Sequence, residues 1–304
     1  GGAGGGGGAH APLAALWTFT VPEGHTYTAY AAHARLPLAS PVRQLGNGGA
    51  QLLYLNHNLL AVATTTASHT LHVRVLDGAT GATVHHATRA TTAGPVCMVL
   101  VDNVLVYTYW SRKKARQEVA VLEFYHERLE AYAADARYSS VARELGAPVV
   151  RQRAYVLAER VVALNAVASR HGHARRTYAL TLATGRVLAL NNRLLSALRV
   201  PPAEMSDAHK AEGVVPYHAE LPVSTMHMLT ANHTLHDAAA ARLVVAPCLL
   251  ESASIVVVHT PHDMLCTRTS LAGTFDTLPA ADGHVTLLAT IAVLAAATLA
   301  TGYA

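Results

Sequence analysis

The sequence VLDGATGATV (Val75–Val84) contains the pattern that decides the fold: an apolar run, a Thr-Gly pair and a β-branched run that returns. The sequence LTLATGRVL (Leu180–Leu188) repeats this pattern. Glycine readily adopts the positive φ that a tight turn between antiparallel strands needs. Both stretches therefore predict β-hairpins of the type found in propeller blades, and their separation fits about two to three blades of 40–45 residues each.

The same pattern of short β-rich runs separated by turn residues continues along the chain from Trp17 onward. Such spacing favours a sandwich, a barrel or a propeller over alternating strands and helices. The sequence predicts a mainly-β fold, specifically a partial β-propeller with quinoprotein-like hairpins and a C-terminal transmembrane helix. The predicted strand runs are Gln51 to Thr64, Leu71 to Leu76, Val96 to Trp110, Glu118 to Tyr125, Tyr178 to Leu190, Arg242 to Leu250 and Ser254 to His259.

Composition shifts divide the chain into five predicted regions. Residues 1–16 form a glycine-rich disordered leader, because a glycine run cannot offset its ordering entropy. Residues 17–125 form a β-rich, propeller-like region, and 126–148 form a charged surface helix or insertion that ends near Gly146 and Pro148. Residues 149–284 form a second β-rich region, which leaves 285–304 as a terminal helix.

The terminal segment 285–304 contains no charged residue. A helix of this length spans about 30 Å, the thickness of the hydrocarbon layer, so the leading interpretation is a transmembrane helix. Ala292, Ala296 and Ala300 recur at every fourth position, a ridge that permits close contact between helices in lipid. A buried helix of a globular core is the alternative.

The overall composition excludes some classes of protein. The 304 residues are 51% apolar and 14% charged, which excludes disorder for most of the chain. The 23 Lys and Arg residues lack the dense basic stripes that bind phosphate backbones, so nucleic acid is not expected as a partner. Cys97, Cys248 and Cys266 form no CxxC pair, although a disulfide between Cys248 and Cys266 is possible.

Candidate catalytic and metal-binding patterns are weak. The 19 histidines include His85-His86, but they show no HExxH or Cys/His spacing, so they are interpreted as surface or loop residues and no metal is predicted. His262 and Asp263 beside Ser254 resemble a fragment of a hydrolase triad without the Gly-x-Ser-x-Gly elbow that exposes a nucleophile. We therefore expect no enzyme activity and no cofactor.

One N-glycosylation sequon, Asn232-His233-Thr234, lies in a polar stretch between apolar runs. Asn232 is therefore a candidate glycosylation site, and its modification would place the β-rich region on the lumenal side of a membrane.

From about Trp17 to Ala304 the chain resembles the C-terminal third of subunit 1 of the endoplasmic reticulum (ER) membrane protein complex. The order, spacing and position of several short motifs carry this resemblance. These motifs are Leu55-Asn56-His57-Asn58-Leu59-Leu60-Ala61-Val62, Leu76-Asp77-Gly78-Ala79-Thr80-Gly81, Gly94-Pro95-Val96, Val106-Tyr107-Thr108-Tyr109-Trp110, Val119-Ala120-Val121-Leu122-Glu123-Phe124-Tyr125, Thr184-Gly185, Pro216-Tyr217, Glu251-Ser252, Asp263 with Thr267-Arg268, and Phe275-Asp276-Thr277-Leu278.

The resemblance implies a non-catalytic scaffold in the ER membrane, with one membrane-spanning helix and the bulk of the chain in the lumen. In that family the complex inserts tail-anchored and multi-pass membrane proteins. The implied partners are other subunits of the complex, the lipid bilayer and client membrane proteins.

Asp276 and Asp282 precede the terminal helix, where the lumenal region would meet the membrane. They are candidate subunit contacts together with Ala292, Ala296 and Ala300, although both acids could instead cap the positive N-terminal end of the helix. Two other functions remain open: a membrane-tethered quinoprotein-like propeller enzyme, and a generic membrane-anchored peptide-binding propeller.

Overall fold

The computed structural model describes residues 15–126, 147–271 and 283–302, and most of the regular structure there is β. The prediction of a mainly-β fold with propeller-like sheets is confirmed. The strands are β1 (His25–Ala34), β2 (Val42–Gln44), β3 (Ala50–Leu52), β4 (Leu59–Thr66), β5 (Leu71–Asp77), β6 (Thr83–Arg89), β7 (Thr92–Val101), β8 (Val104–Ser111), β9 (Arg116–Tyr125), β10 (Val149–Leu157), β11 (Val161–Val167), β12 (Thr177–Leu182), β13 (Val187–Asn191), β14 (Arg242–Pro247), β15 (Ala253–His259) and β16 (Met264–Ser270). The helices are α1 (Asp207–Ala211) and α2 (Gly283–Gly302), with short 3-10 helices at Pro202–Glu204, Thr225–His227 and Ala238–Ala240.

The described residues pack as two compact units. The first consists of the described parts of Gly1–Arg35, Pro41–Arg160 and Ser196–Leu221. The second consists of the described parts of Leu36–Ser40, Val161–Leu195 and Pro222–Ala304.

Two four-stranded antiparallel meanders form the main sheet of the first unit, in the orders β1-β4-β5-β6 and β7-β8-β9-β10. Their first strands run parallel over a short stretch, where His33 pairs with Leu100 and Ala34 with Val101. Each meander therefore starts at the centre of one eight-stranded sheet and steps outward, as the strands of a propeller blade do.

The inner faces of these two meanders share one hydrophobic core. Val73 of β5, Leu105 of β8 and Leu122 of β9 are completely buried in it. Burial of each such side chain contributes about 1.5–3 kcal/mol to folding. The period-2 alternation of the sequence thus directs one face of each meander inward.

The second unit contains two three-stranded antiparallel meanders, β11-β12-β13 and β14-β15-β16. Val187 and Val256 lie in a core to which both meanders contribute. Leu235, from the connection ahead of β14, joins this core, and its N–H donates to the Gly185 carbonyl at 2.9 Å.

The two Thr-Gly turns form the predicted hairpins, β5–β6 and β12–β13. Gly81 has φ +73° and Gly185 has φ +84°, the left-handed region that glycine favours. A Cβ on Gly185 would lie 2.2 Å from the Leu235 carbonyl oxygen, so close packing as well as conformation requires glycine there.

Helix α2 covers most of the predicted terminal helix, 285–304. Its described side chains from Leu287 to Leu299 are all exposed, which differs from the alternative of a buried core helix. Among the residues that the structure describes, none of the helices combines the length and the apolar character needed to cross a bilayer, so the predicted transmembrane span is not supported.

Three predictions concern residues outside the described ranges. They are the disordered leader, apart from residues 15 and 16, the helix or insertion between 127 and 146, and the placement of Asp276 and Asp282.

Candidate functional surfaces

Three acidic side chains from the motifs that carry the resemblance are buried: Asp77, Glu123 and Glu251. Asp77 accepts hydrogen bonds from Asn56 Nδ2 at 3.0 Å and from the Ala79 N–H at 2.8 Å. These bonds join the turn before β4 to the turn after β5. Asp77 therefore stabilises the first Thr-Gly hairpin.

Glu123 joins β9 to the segment 196–221. Its Oε1 accepts the Ala197 N–H at 2.7 Å, and its Oε2 accepts the Tyr125 hydroxyl. Burial, followed by the neighbouring Glu123 carboxylate, raises the pKa of Tyr125 well above its ordinary value. Tyr125 therefore stays protonated and remains a hydrogen-bond donor to Glu123.

Glu251 holds the loop between β11 and β12. Its carboxylate accepts the Ser169 hydroxyl, the His171 N–H at 3.0 Å and the His173 N–H at 2.7 Å. Burial opposes ionisation of Glu251, but these hydrogen bonds prevail and lower its pKa to about 2. A carboxylate that is ionised and occupied in this way is a loop anchor and is poorly suited to proton transfer.

The residues that resembled a hydrolase triad do not form one. The buried Ser254 hydroxyl donates to the Ala168 carbonyl at 2.5 Å. His262 Nε2 lies 3.1 Å from Asp237 Oδ2, whereas Asp263 Oδ2 lies 3.2 Å from His233 Nε2. In the described part of the chain, no group of three or more His, Cys, Asp or Glu side chains is placed to hold a metal ion.

The cysteines of the chain are free thiols, so the possible disulfide between Cys248 and Cys266 is not formed. Cys248 Sγ instead donates to the Ala253 carbonyl at 3.1 Å. Cys266 is exposed on β16.

The predicted glycosylation site lies in an exposed turn. Asn232 and Thr234 are both exposed, and the preceding Ala231 adopts φ +47°. This placement leaves the sequon accessible, and modification of Asn232 stays a prediction.

The predicted small-residue ridge lies on α2. Ala292 and Ala296 are exposed, and Ala300 belongs to the same helix. Large apolar side chains are exposed beside them, including Ile291 at 53% and Leu294 at 60%. The described middle of this helix thus presents an uncharged, unburied surface.

A surface that the sequence did not predict lies on the outer face of the β1-β4-β5-β6 meander. Strand register brings its members together: Thr64 pairs with Tyr27 and His72, and Val62 pairs with Tyr30 and Arg74. We call it the histidine face; its members are His25, Tyr27, Tyr30, His72, Arg74 and His86.

The side chains of the histidine face contact one another. His72 Nδ1 lies 3.1 Å from His86 Nε2, and the ring centroids of His25 and His72 are 4.6 Å apart. Arg74 donates to the Thr64 hydroxyl at 3.2 Å. Partial desolvation first, and then the nearby His25, His86 and Arg74, lower the pKa of His72. Desolvation, followed by Arg74 and His25, likewise lowers the pKa of His86.

Comparison with known proteins agrees with the propeller-like meanders. The family described as "ER membrane protein complex subunit 1, second beta-propeller" matches residues 5–270. The chain belongs to this family. The resemblance identified in the sequence is therefore confirmed.

Curated members of the subunit 1 family are longer than this chain, which matches only a part of each. ER membrane protein complex subunit 1 of Gallus gallus is 32% identical over 239 residues, 76% of this chain and 23% of that protein. The Xenopus laevis protein of the same name is 30% identical over 241 residues, 78% of this chain and 24% of its own length. The Saccharomyces cerevisiae protein is 24% identical over 289 residues, 91% of this chain and 38% of its own length. The chain thus spans about a quarter of the two vertebrate relatives.

Proposed function

We propose that this chain acts as a non-catalytic scaffold in the ER membrane protein complex and supports the insertion of tail-anchored and multi-pass membrane proteins. Its β-rich units would lie on the lumenal side of the ER membrane, where Asn232 would be glycosylated. Membership of the subunit 1 family carries the proposal, since the relatives are named as subunits of that complex. The Glu251 carboxylate supports the non-catalytic part of the proposal, because an ionised and hydrogen-bonded acid is poorly suited to proton transfer.

The second element of the proposal is a subunit contact at α2. Its described residues from Leu287 to Leu299 are exposed and uncharged. Burying this apolar surface against another subunit or lipid would be favourable, because it removes the surface from water. The small side chains of Ala292 and Ala296 would let a helix of another subunit approach closely, with Ala300 continuing the ridge and lipid beside it. Asp276 and Asp282 would extend the contact on the lumenal side.

The test is a purification of the full-length protein from its own host in mild detergent, followed by native sizing and identification of the co-migrating proteins. We expect several membrane subunits to co-migrate with it. The dependence of client insertion on this protein is measured as the membrane insertion of one tail-anchored and one multi-pass reporter protein. A lone species of monomer size would contradict the scaffold function.

Matched variants locate the contact on α2. Ala292→Leu combined with Ala296→Leu fills the ridge and should release the co-migrating subunits. Ala297→Leu adds the same side chain about 140° around the helix from Ala292 and should leave the complex intact. Equal loss in both variants would mean that added bulk anywhere on α2, and not the filling of the ridge, releases the subunits.

A further inference from the structure

We propose that the histidine face is a docking surface for an acidic segment of a partner protein, and that docking is coupled to the uptake of protons by His72 and His86. This inference rests on the proposed scaffold function, because it assigns one of the faces through which the scaffold would hold a partner. It concerns a different part of the molecule from α2.

Charge complementarity identifies the acidic partner. The described charged or titratable groups that act on His72 are His25 of β1, Arg74 of β5 and His86 of β6. Those that act on His86 are Arg74 and His25. The fourth strand, β4, contributes the neutral hydroxyl of Thr64, which contacts both Arg74 and His25. The charged or titratable groups that act on His72 and His86 are thus all basic, and a carboxylate from outside would complement them.

The remaining members of the face suit a protein partner. Tyr27 is 51% exposed and Tyr30 is 64% exposed on strand β1, whose register shifts between Tyr27 and Ala29. Tyrosine and arginine are enriched among the residues that dominate protein–protein binding energy, since they combine apolar area with a hydrogen-bonding group. Two exposed tyrosines beside Arg74 provide such a combination.

The proton coupling follows from the contacts between the rings. In the free protein, desolvation and the neighbouring cations lower the pKa of His72 and His86, so both are neutral near pH 7. Carboxylates placed against them favour the protonated form and raise these pKa values. The bound state therefore binds more protons than the free state, and linkage requires the affinity to rise as the pH falls.

Isothermal titration calorimetry on the full-length protein tests the inference, with deca-glutamate as the probe and deca-lysine as the control of opposite charge. We expect deca-glutamate to bind about 30-fold more tightly at pH 6.0 than at pH 7.5, because the uptake of about one proton changes the affinity about tenfold per pH unit. Titration in two buffers of different ionisation enthalpy gives the number of protons taken up. Deca-lysine should not bind.

Variants assign the binding to this face. His72→Gln combined with His86→Gln should remove the pH dependence and the proton uptake, and Arg74→Gln should weaken binding at both pH values. His218→Gln, an exposed histidine elsewhere in the first unit, is the matched control and should change neither. Circular dichroism of each variant verifies that the fold is retained.

Three results would overturn the inference. The first is no binding of deca-glutamate at pH 6.0. The second is binding that the histidine and arginine variants leave unchanged. The third is a face already covered in the full-length protein by its own chain or by a second copy, shown by His72 and His86 rings that resist modification by diethyl pyrocarbonate without any partner. None of these would alter the co-migration of subunits, so failure here is distinguishable from failure of the scaffold function.

Discussion

The two four-stranded meanders of the first unit have similar inner faces and different outer faces. On the outer face of β9 and β10, Val119, Val121, Glu123 and Tyr155 are all buried. On the corresponding face of the β1-β4-β5-β6 meander, tyrosines are more than half exposed and histidines lie beside an arginine. The same strand arrangement therefore supports one outer face covered by a separate segment and one whose tyrosines are open to water above the buried Val62 and Thr64.

The chain itself covers the outer face of the second meander with the segment 196–221. The Tyr155 hydroxyl donates to the Ser196 carbonyl, and the guanidinium of Arg199 lies 5.0 Å from the Tyr155 ring centroid. Tyr217 also packs against Tyr155, and their ring centroids are 5.6 Å apart. Arg199 is 1% exposed and donates to the Pro216 carbonyl.

The difference shows which side chains occur on an outer face that the chain covers and on one that it leaves exposed. A face that its own chain covers carries apolar and aromatic side chains, and its Glu123 carboxylate and Tyr155 hydroxyl are hydrogen-bonded within the chain. A face that the described chain leaves open carries side chains that tolerate water and can also bind a partner. The histidine face has this second composition, which is why we assign it to docking.

The largest effect expected from this comparison is at Tyr155. Tyr155→Ala should lower the free energy of unfolding by about 3–5 kcal/mol, because it leaves a cavity beneath Arg199 and Tyr217. Tyr30→Ala, the matched change on the open face, should cost about 0.5 kcal/mol or less. Urea denaturation of both variants measures the difference. Equal losses would mean that the two outer faces are covered to the same extent.

A smaller effect is expected at the polar contact of the covered face. Glu123→Ala should cost about 2 kcal/mol, because it leaves the Ala197 N–H and the Tyr125 hydroxyl without their acceptor. Glu123→Gln retains an acceptor oxygen and should cost less. Exposed Glu23→Ala, just before β1, is the control and should be nearly neutral in the same urea experiment.

Glu251 extends the comparison to a buried acid in the second unit. Its folded-state pKa, about 2, lies below the ordinary value of about 4.3, so its stabilising contribution is fully present above pH 4.3. That contribution is lost as the pH falls through about 2. Glu251→Gln should cost about 1 kcal/mol at pH 7 and should flatten the stability profile between pH 4.5 and 2. Urea midpoints across this range measure it, and an unchanged acid profile would contradict the anchoring contacts.

The sequence predicted the local turns of this fold better than its surfaces. The Thr-Gly pairs specify positive φ at Gly81 and Gly185, and both hairpins form. The run from Val96 to Trp110 is apolar except for Asp102, Asn103 and Thr108, so the sequence predicted one strand run where the structure has β7 and β8. The tip of that hairpin is Asp102-Asn103, where Asp102 itself adopts φ +52°.

The histidine face was beyond prediction for a different reason. His25, His72 and His86 lie on three strands, and only the register of β1, β4, β5 and β6 brings their rings together. The pair His85-His86 gave no signal, since alternation in a strand sends its two side chains to opposite faces. His85 instead packs near Phe124, with ring centroids 6.2 Å apart.

The smallest expected effect is the dependence of stability on pH that the open face itself produces. His72 and His86 have lowered pKa values in the folded protein, so the unfolded chain binds more protons as the pH falls through 6.5. The folded state therefore loses stability between pH 7.5 and pH 5.5. His72→Gln combined with His86→Gln should reduce this loss, measured as the shift in the urea midpoint, and should leave the midpoint at pH 7.5 nearly unchanged. His218→Gln should retain the full shift. If the double variant kept the same shift as the unmodified chain, the contacts within the histidine face would not lower the pKa of His72 and His86 in the folded protein.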